Sequence, residues 1–128
     1  MKIKKESRNK EVMWMNEVAS KDYEAAISYL SLLTEISEAQ KIVESLKGAK
    51  IVKFKAKDIF RASSLPLLGL SHKQVEKNLK KIRNGKKLSP ILLVRDKGNG
   101  KVVVADGYHR ICAIYSLNDD VLIPCKIV

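Results

Sequence analysis

The stretch VVVADGYHRICAIY, residues 102–115, decides the fold, because its apolar pattern changes from that of a strand to that of a helix. The three valines are β-branched and consecutive, as in a buried strand, whereas the apolar residues after Gly107 recur at helical spacing. The first turn of a helix carries backbone N–H groups without intrahelical partners and a partial positive charge. The sequence therefore predicts a strand-to-helix turn over residues 106–110 that suits an anion, above all a phosphate.

The residues of this turn suit a phosphate, and they also suit a turn that is only structural. Gly107 has no Cβ to block the approach of an anion, and His109 and Arg110 supply hydrogen-bond donors. Alternatively, Asp106 serves as the N-cap of the helix, and Arg110 pairs with a neighbouring acid. The turn by itself leaves both interpretations open.

The composition narrows the class of protein. The chain has 128 residues, of which 45% are hydrophobic and 30% are charged, and this predicts one globular domain. A formal net charge of +11 predicts attraction to nucleic acid or to phosphorylated small molecules, and a solvated lysine-rich surface is the alternative explanation. No apolar run approaches the roughly 20 residues of a membrane span, so we expect no membrane partner and a cytoplasmic location.

The two cysteines predict neither a metal site nor a redox motif. Cys112 and Cys125 stand inside apolar patterns and lack the paired spacing that such sites require. We expect two buried free thiols, and no set of metal ligands is predicted elsewhere in the chain.

The periodicity predicts the order helix, helix, strand, helix, strand, strand, helix, strand. This is an α+β fold with a mixed sheet and flanking helices, preceded by an N-terminal helical pair. Residues 1–19 are interpreted as a basic arm and lead-in, of which the first ten are poorly ordered. Residues 20–128 form a single domain whose N-terminal helical extension covers residues 20–48. Residues 50–60, KIVKFKAKDIF, are predicted as one strand.

Serine residues are predicted to begin three of the helices. Ser20 is the expected N-cap of the first helix, Ser37 opens a capping box for the second, and Ser71 caps the middle helix. Pro124 lies in the last predicted strand and has no N–H group, so we expect that strand at an edge of the sheet or at a bulge.

The last part of the chain resembles the ParB/sulfiredoxin-like superfamily. The segments LKKIRNGKKLSPILLV (79–94), KVVVADGYHRICAIYSL (101–117) and VLIPCKIV (121–128) carry the resemblance. In that superfamily a helix, a short loop with Pro, a hairpin and a Gly-x-x-Arg helix start occur in this order. The resemblance covers about residues 50–128. The full-length layout is also similar to a group of small stand-alone bacterial proteins of unknown function.

The resemblance implies different chemistry in different branches of the superfamily. In ParB proteins the turn has Gly, an acid and two arginines and binds a nucleotide triphosphate; Gly107 and Arg110 match this pattern, whereas Tyr108 and His109 do not. Sulfiredoxins have a nucleophilic cysteine at the position of Tyr108, so sulfinic acid reduction is not expected here. The turn of the ADP-dependent serine kinases, Asp-Gly-x-His-Arg, is most similar. It implies Asp106 as a general base or magnesium-orienting group, and His109 and Arg110 as residues that contact the phosphate.

A second cluster, FKAKDIFRAS (54–63), is a candidate part of the same site. Superfamily members often use an arginine after the first strand to reach phosphate, which makes Arg61 and Lys57 candidate phosphate-binding residues. Asp58 is the candidate second carboxylate. Solvated lysines and a surface pair between Asp58 and Arg61 are the alternative, and His72 is expected to be structural.

The first functional hypothesis is a phosphate- or nucleotide-binding protein, with phosphotransferase or nucleotide hydrolase activity as its candidate reaction. Asp106 and His109 are the candidate catalytic residues, and Gly107, Tyr108, His109 and Arg110 the candidate nucleotide-binding residues. The expected cofactor is a nucleotide, ATP, ADP or CTP, with Mg²⁺. A Gly-rich phosphate loop ending in Lys-Ser/Thr is absent from the sequence, which counts against this hypothesis.

Two further hypotheses assign the protein to other functional classes. A non-specific nucleic-acid-binding or ParB-like nuclease module would explain the net charge, and residues 111–128 contain no helix-turn-helix pattern for sequence-specific binding. A regulatory protein-interaction module would use the turn only for structure. Whether the protein is an enzyme stays open at this level.

Overall fold

The computed structural model describes residues 11–69 and 71–128, so the predicted basic arm at residues 1–10 lies outside the described residues. The described part contains five α-helices and four β-strands. In chain order they are α1 (Ser20–Leu30), α2 (Ile36–Gly48), β1 (Val52–Lys55), α3 (Ala56–Ser63), α4 (Lys73–Arg83), β2 (Ile91–Asp96), β3 (Lys101–Asp106), α5 (Tyr108–Leu117) and β4 (Leu122–Ile127). The predicted α+β class, with two helices before a mixed sheet, is confirmed.

The four strands form one mixed sheet in the order β1-β4-β2-β3. β4 is parallel to β2 and antiparallel to β1, and β2 and β3 form an antiparallel hairpin. The expected edge position of Pro124 is wrong, because β4 lies inside the sheet. The ladder to β2 begins only at Cys125, so Pro124 has a register partner on one side alone, Lys53 of β1. Such a one-sided position tolerates the missing N–H group.

Helices cover both faces of the sheet. The N-terminal pair α1 and α2 packs on one face, where Val43 and Leu46 meet Leu92 of β2. Helices α3, α4 and α5 pack on the other face, against Ile91 and Leu93 of the same strand. Because β2 lies between two layers, the consecutive residues Ile91, Leu92 and Leu93 are all buried, as the apolar run of this strand predicts.

The predicted serine caps of the first two helices are wrong. Ser20 is the first residue of α1, and Ala19 is the N-cap. Ser37 lies inside α2, whose N-cap is Glu35, and neither cap makes a side-chain hydrogen bond. Both helices are fixed by packing of their apolar stripes against the sheet and against each other, so they do not depend on local capping.

The predicted strand over residues 50–60 is correct only as far as Lys55. Helix α3 follows without a loop, and its first two amides, of Ala56 and Lys57, donate to the carbonyls of Val121 and Asp119 at 3.0 Å. These acceptors belong to the connection between α5 and β4, which lies more than sixty residues along the chain. Lysines at alternate positions are typical of an exposed strand, but this distant backbone contact turns the segment into a helix.

No helix in residues 11–69 or 71–128 combines the length and the apolar character that crossing a bilayer would require. The two cysteines, Cys112 and Cys125, are buried, as predicted, and both thiols are free. Burial raises the pKa of each thiol, and that of Cys125 to about 12, so neither is a thiolate near neutral pH.

Candidate functional site

The predicted turn joins β3 directly to α5, with Gly107 at the junction. Gly107 has φ +107° and is the N-cap of the helix, a backbone conformation that favours glycine. A Cβ at this position would overlap Ile91 Cδ1 and lie 3.0 Å from Arg110 Nη2. The space that a Cβ of residue 107 would occupy is therefore filled by the side chains of Ile91 and Arg110.

Arg110 holds three parts of the chain together. Its Nη2 donates to Asp106 Oδ2 at 2.6 Å, and its Nη1 donates to Asp22 Oδ2 at 3.0 Å and to the carbonyl of Ser89 at 2.7 Å. The arginine side chain is 13% exposed, and those of Asp22 and Asp106 are 11% and 19% exposed. Both terminal nitrogens are thus committed to protein acceptors. The alternative raised from the sequence, an arginine paired with an acid, describes this geometry.

Asp106 is not the N-cap of α5, because that position is taken by Gly107, and Asp106 Oδ2 accepts a hydrogen bond from Arg110. The pKa of Asp106 is raised to about 6, because burial penalises its charged form and the charge of Asp22 adds to this, although Arg110 opposes both effects. Two carboxylates share one guanidinium here. A carboxyl group that titrates close to neutral pH is suited to accepting a proton.

The two histidines of the chain lie against each other at the entrance to this region. The rings of His72 and His109 are stacked, with centroids 5.1 Å apart and an interplanar angle of 19°. Burial, and then the nearby charge of His72, lower the pKa of His109, so its ring is neutral at pH 7. Tyr108 lies beside His109, and its hydroxyl donates to the carbonyl of Pro66.

The N-cap of α4 is His72, so the prediction of Ser71 as the cap is wrong. The Nδ1 atom of His72 accepts a hydrogen bond from the amide of Gln74 at 3.2 Å. The structural role expected for His72 is present, and the stacking contact with His109 adds a second one. A ring nitrogen can replace the usual serine oxygen because both are acceptors that reach the N2 amide.

A cavity of about 260 Å³ opens at the N-terminus of α5. The amides of residues 108–110 precede the first hydrogen bond of the helix, from Ile111 N to Gly107 O at 3.1 Å, and so have no partner within it. All five residues of the predicted turn line this cavity, together with charged and polar residues from α1, α4 and the segment after α4: Lys21, Asp22, Gln74, Asn78, Lys81, Lys87 and Ser89.

Three lysines give the cavity its electrostatic character. Lys21, Lys81 and Lys87 take part in none of the ion pairs formed by the described residues. The pKa of Lys81 is lowered, first by burial and then by repulsion from Lys21 and other cations, including Arg110. The cavity therefore holds three lysines that form no ion pair with the carboxylates of its wall, and this excess of positive charge favours an anionic ligand.

The second predicted cluster lies elsewhere and is not brought to the cavity. Lys57 Nζ is 2.7 Å from Asp120 Oδ1, on the connection between α5 and β4. Arg61 is 86% exposed on α3, and Asp58, at 3.9 Å, is its partner, as in the surface pair that the sequence left as the alternative. Neither basic residue lines the cavity.

Sequence reasoning missed Asp22 and the three cavity lysines. Asp22 stands 88 positions before Arg110, and its only local signal is that of an acid in the first turn of a helix. Lys81 shares a face of α4 with Gln74 and Asn78, at helical spacing, but a lysine on a basic helix carries no sign of which face is enclosed.

Among residues 11–69 and 71–128, no group of three or more His, Cys, Asp or Glu side chains is placed to hold a metal ion. Comparison of the chain with protein-family models, with curated proteins and with solved structures gave no match.

Proposed function

We propose that this protein binds the phosphate group of a nucleotide or of a phosphorylated small molecule in the cavity at the N-terminus of α5. The observation that carries this proposal is the charge of the cavity wall. Three lysines and Arg110 face two carboxylates there, a net charge of +2 with both carboxylates ionised. The first amides of α5, which have no partner within the helix, add the partial positive charge of a helix N-terminus.

In this proposal the lysines and the amides bind the phosphate oxygens, and Arg110 does not. Its guanidinium already donates to Asp106, Asp22 and Ser89, so it positions the turn. His109 is neutral near pH 7 and contributes one N–H donor or one acceptor at the cavity wall. This division of roles differs from the one that the superfamily resemblance implies, in which Arg110 contacts the phosphate.

The size of the cavity limits what it encloses. Pockets that enclose a drug-sized ligand have about 300–1,000 Å³, whereas this cavity has about 260 Å³. It accommodates a phosphate and the group that carries it, and the rest of a nucleotide such as ATP, ADP or CTP lies outside.

The donor set does not fit a Mg²⁺ ion held by the protein. Asp22 and Asp106 each have one oxygen within 3.0 Å of Arg110, and this fixed cation repels a second one. The proposed reaction therefore involves no metal ion held by these two carboxylates.

The candidate reaction at this site is phosphoryl transfer or hydrolysis of a phosphate ester. Asp106, with its raised pKa, accepts the proton of the attacking hydroxyl or water, and Lys21, Lys81 and Lys87 neutralise the phosphoryl oxygens. Membership of the ParB/sulfiredoxin-like superfamily is part of the proposal. It is supported by the β3–Gly107–α5 turn and by the hairpin that precedes it.

We also propose a cytoplasmic location. Both cysteines, Cys112 and Cys125, are free thiols, which is typical of proteins in a reducing compartment.

Calorimetry and thermal shift with inorganic phosphate, ATP, ADP, CTP and GTP, each with and without Mg²⁺, test the proposal. A ligand at 100 times its Kd stabilises the wild type by about 2.7 kcal/mol. Lys81→Gln should weaken binding at least tenfold, and the matched control Lys57→Gln, outside the cavity, should leave the affinity unchanged. Binding by none of these ligands, or equal loss in both variants, would contradict the proposal and favour a protein-interaction role.

A further inference from the structure

The positive charge of this protein is concentrated beside the cavity. Residues 71–87 contain six lysines and one arginine but a single acid, Glu76, so they carry six of the eleven net charges of the chain. None of these six lysines lies within ion-pair distance of a carboxylate among the described residues. This segment therefore carries more than half of the net positive charge of the chain.

Three of these lysines form a row on α4 next to the cavity. Gln74, Asn78 and Lys81 recur at helical spacing and line the cavity. Lys73, Lys77 and Lys80 each precede one of them by one residue, so they form the adjacent stripe about 100° around the helix. With Glu76 they line a shallow cleft of about 210 Å³. We call Lys73, Lys77 and Lys80 the α4 lysine row.

We propose that the cavity binds the phosphorylated end of a nucleic-acid single strand, and that the following backbone phosphates lie along the α4 lysine row. This inference rests on the proposed function, because it names the molecule to which the bound phosphate belongs. A free nucleotide bound in the cavity through its phosphate would leave the α4 lysine row without a ligand.

The charges and lengths of the two surfaces fit such a ligand. A terminal phosphate monoester carries about −1.5 to −2 charges near neutral pH, which matches the net +2 of the cavity wall. The row extends over seven residue steps of helix, about 10 Å at 1.5 Å per residue, and a stacked strand advances about 3.4 Å per nucleotide. The row therefore reaches about three backbone phosphates.

The aromatic residues at the junction favour a single strand. His72 precedes the first lysine of the row and stacks on His109, which lines the cavity. The side chain of His72 is only partly buried, so a base can stack on this pair. A terminal nucleotide must leave a base-paired stack to place its phosphate in an enclosed cavity, and this costs least in a strand that is already single.

Fluorescence anisotropy on the full chain tests the inference. The probes are ten-nucleotide oligothymidylates with a 5′-phosphate, a 3′-phosphate or neither, labelled at the other end and titrated at several salt concentrations. We expect one phosphorylated probe to bind at least tenfold more tightly than the unphosphorylated one. Comparison of the 5′-phosphate and 3′-phosphate probes identifies which end of the strand is bound. Equal affinity for all three probes would overturn the inference.

The second test changes the α4 lysine row. In Lys73→Gln/Lys77→Gln/Lys80→Gln the slope of log K against log salt should fall by about 2, since each single-strand phosphate contact contributes about 0.7. The control Lys41→Gln/Lys47→Gln/Lys50→Gln removes the same charge from exposed positions on and after α2 and should keep the slope. Equal slopes in the two variants, or equally strong competition by polyglutamate, would also overturn the inference.

Calorimetry with inorganic phosphate separates this inference from the proposed function. The α4 variant keeps all cavity lysines, so we expect it to bind phosphate as the wild type does. If the wild type binds phosphate but does not distinguish the probes, the nucleic-acid inference fails alone. If the wild type binds neither phosphate nor any nucleotide, the proposed function fails as well.

Discussion

Asp106→Asn should change how the stability of this protein depends on pH. The pKa of Asp106 is raised from 3.8 to about 6 in the folded protein, because burial and Asp22 outweigh the attraction of Arg110. The folded state therefore binds this proton more tightly than the unfolded state does. The resulting stabilisation is complete below pH 3.8 and is lost as the pH rises through about 6. A shift of about two pKa units corresponds to about 3 kcal/mol.

Urea denaturation of the wild type and of Asp106→Asn between pH 3.5 and pH 8 measures this contribution. Every other titrating group is common to the two proteins, so subtracting their free energies of unfolding isolates Asp106 and its coupling to Asp22. The wild type should lose about 3 kcal/mol relative to the variant across this range. If the free energy of unfolding of the wild type minus that of Asp106→Asn instead rises with pH, the reasoning is refuted. Such a result would show that the ion pair with Arg110 has a larger effect on Asp106 than its burial has.

The control is a variant for which the pH dependence of stability should change in the opposite direction. Lys57 lowers the pKa of Asp120, which is fully exposed on the connection between α5 and β4. The stability that Asp120 contributes is therefore present above its unfolded pKa and is lost as the pH falls. In Asp120→Asn the difference from the wild type should run in the opposite direction.

Three further predictions concern the same turn. Arg110→Ala should lower the free energy of unfolding, measured by urea denaturation, by about 3–5 kcal/mol, because two buried carboxylates lose their cation. The control Arg61→Ala, which changes an 86% exposed side chain, should change this free energy by less than about 0.5 kcal/mol. Gly107→Ala should lower the free energy of unfolding by more than about 2 kcal/mol, because residue 107 has a positive φ and its Cβ would overlap neighbouring side chains. The control Gly48→Ala, where the Cβ would meet open space, should not lower it in the same assay. His109 should titrate below its ordinary pKa of 6.5 when its ring protons are followed by NMR against pH, and a value above 6.5 would contradict its burial.

The last third of the chain was predicted from its sequence in nearly every element. The hairpin of β2 and β3, helix α5 and strand β4 all occur where the apolar patterns place them. These elements are close in sequence and are separated by tight turns, so local pattern and turn chemistry act together. The burial of Ile111 and Ile114 on α5 follows from the same periodicity.

The errors share one physical cause, which is contact with distant segments. Helix α3 replaces the end of a predicted strand because carbonyls of the connection between α5 and β4 accept its first amides. Pro124 is tolerated inside the sheet because β2 begins to pair only at Cys125. Neither partner is visible within the windows of ten to twenty residues in which sequence patterns are judged.

The candidate site was likewise predicted in part from local sequence and decided in part by contacts with distant segments. Asp106, Gly107, His109 and Arg110 are nearly consecutive, so the sequence alone determined that a carboxylate, a histidine and an arginine meet at a helix start. Only the tertiary structure decided that Arg110 binds Asp22 and Asp106, and that lysines from α1 and α4 surround the cavity. Local periodicity specifies which face of each element is apolar, whereas charged side chains acquire their roles from whichever segments packing places opposite them.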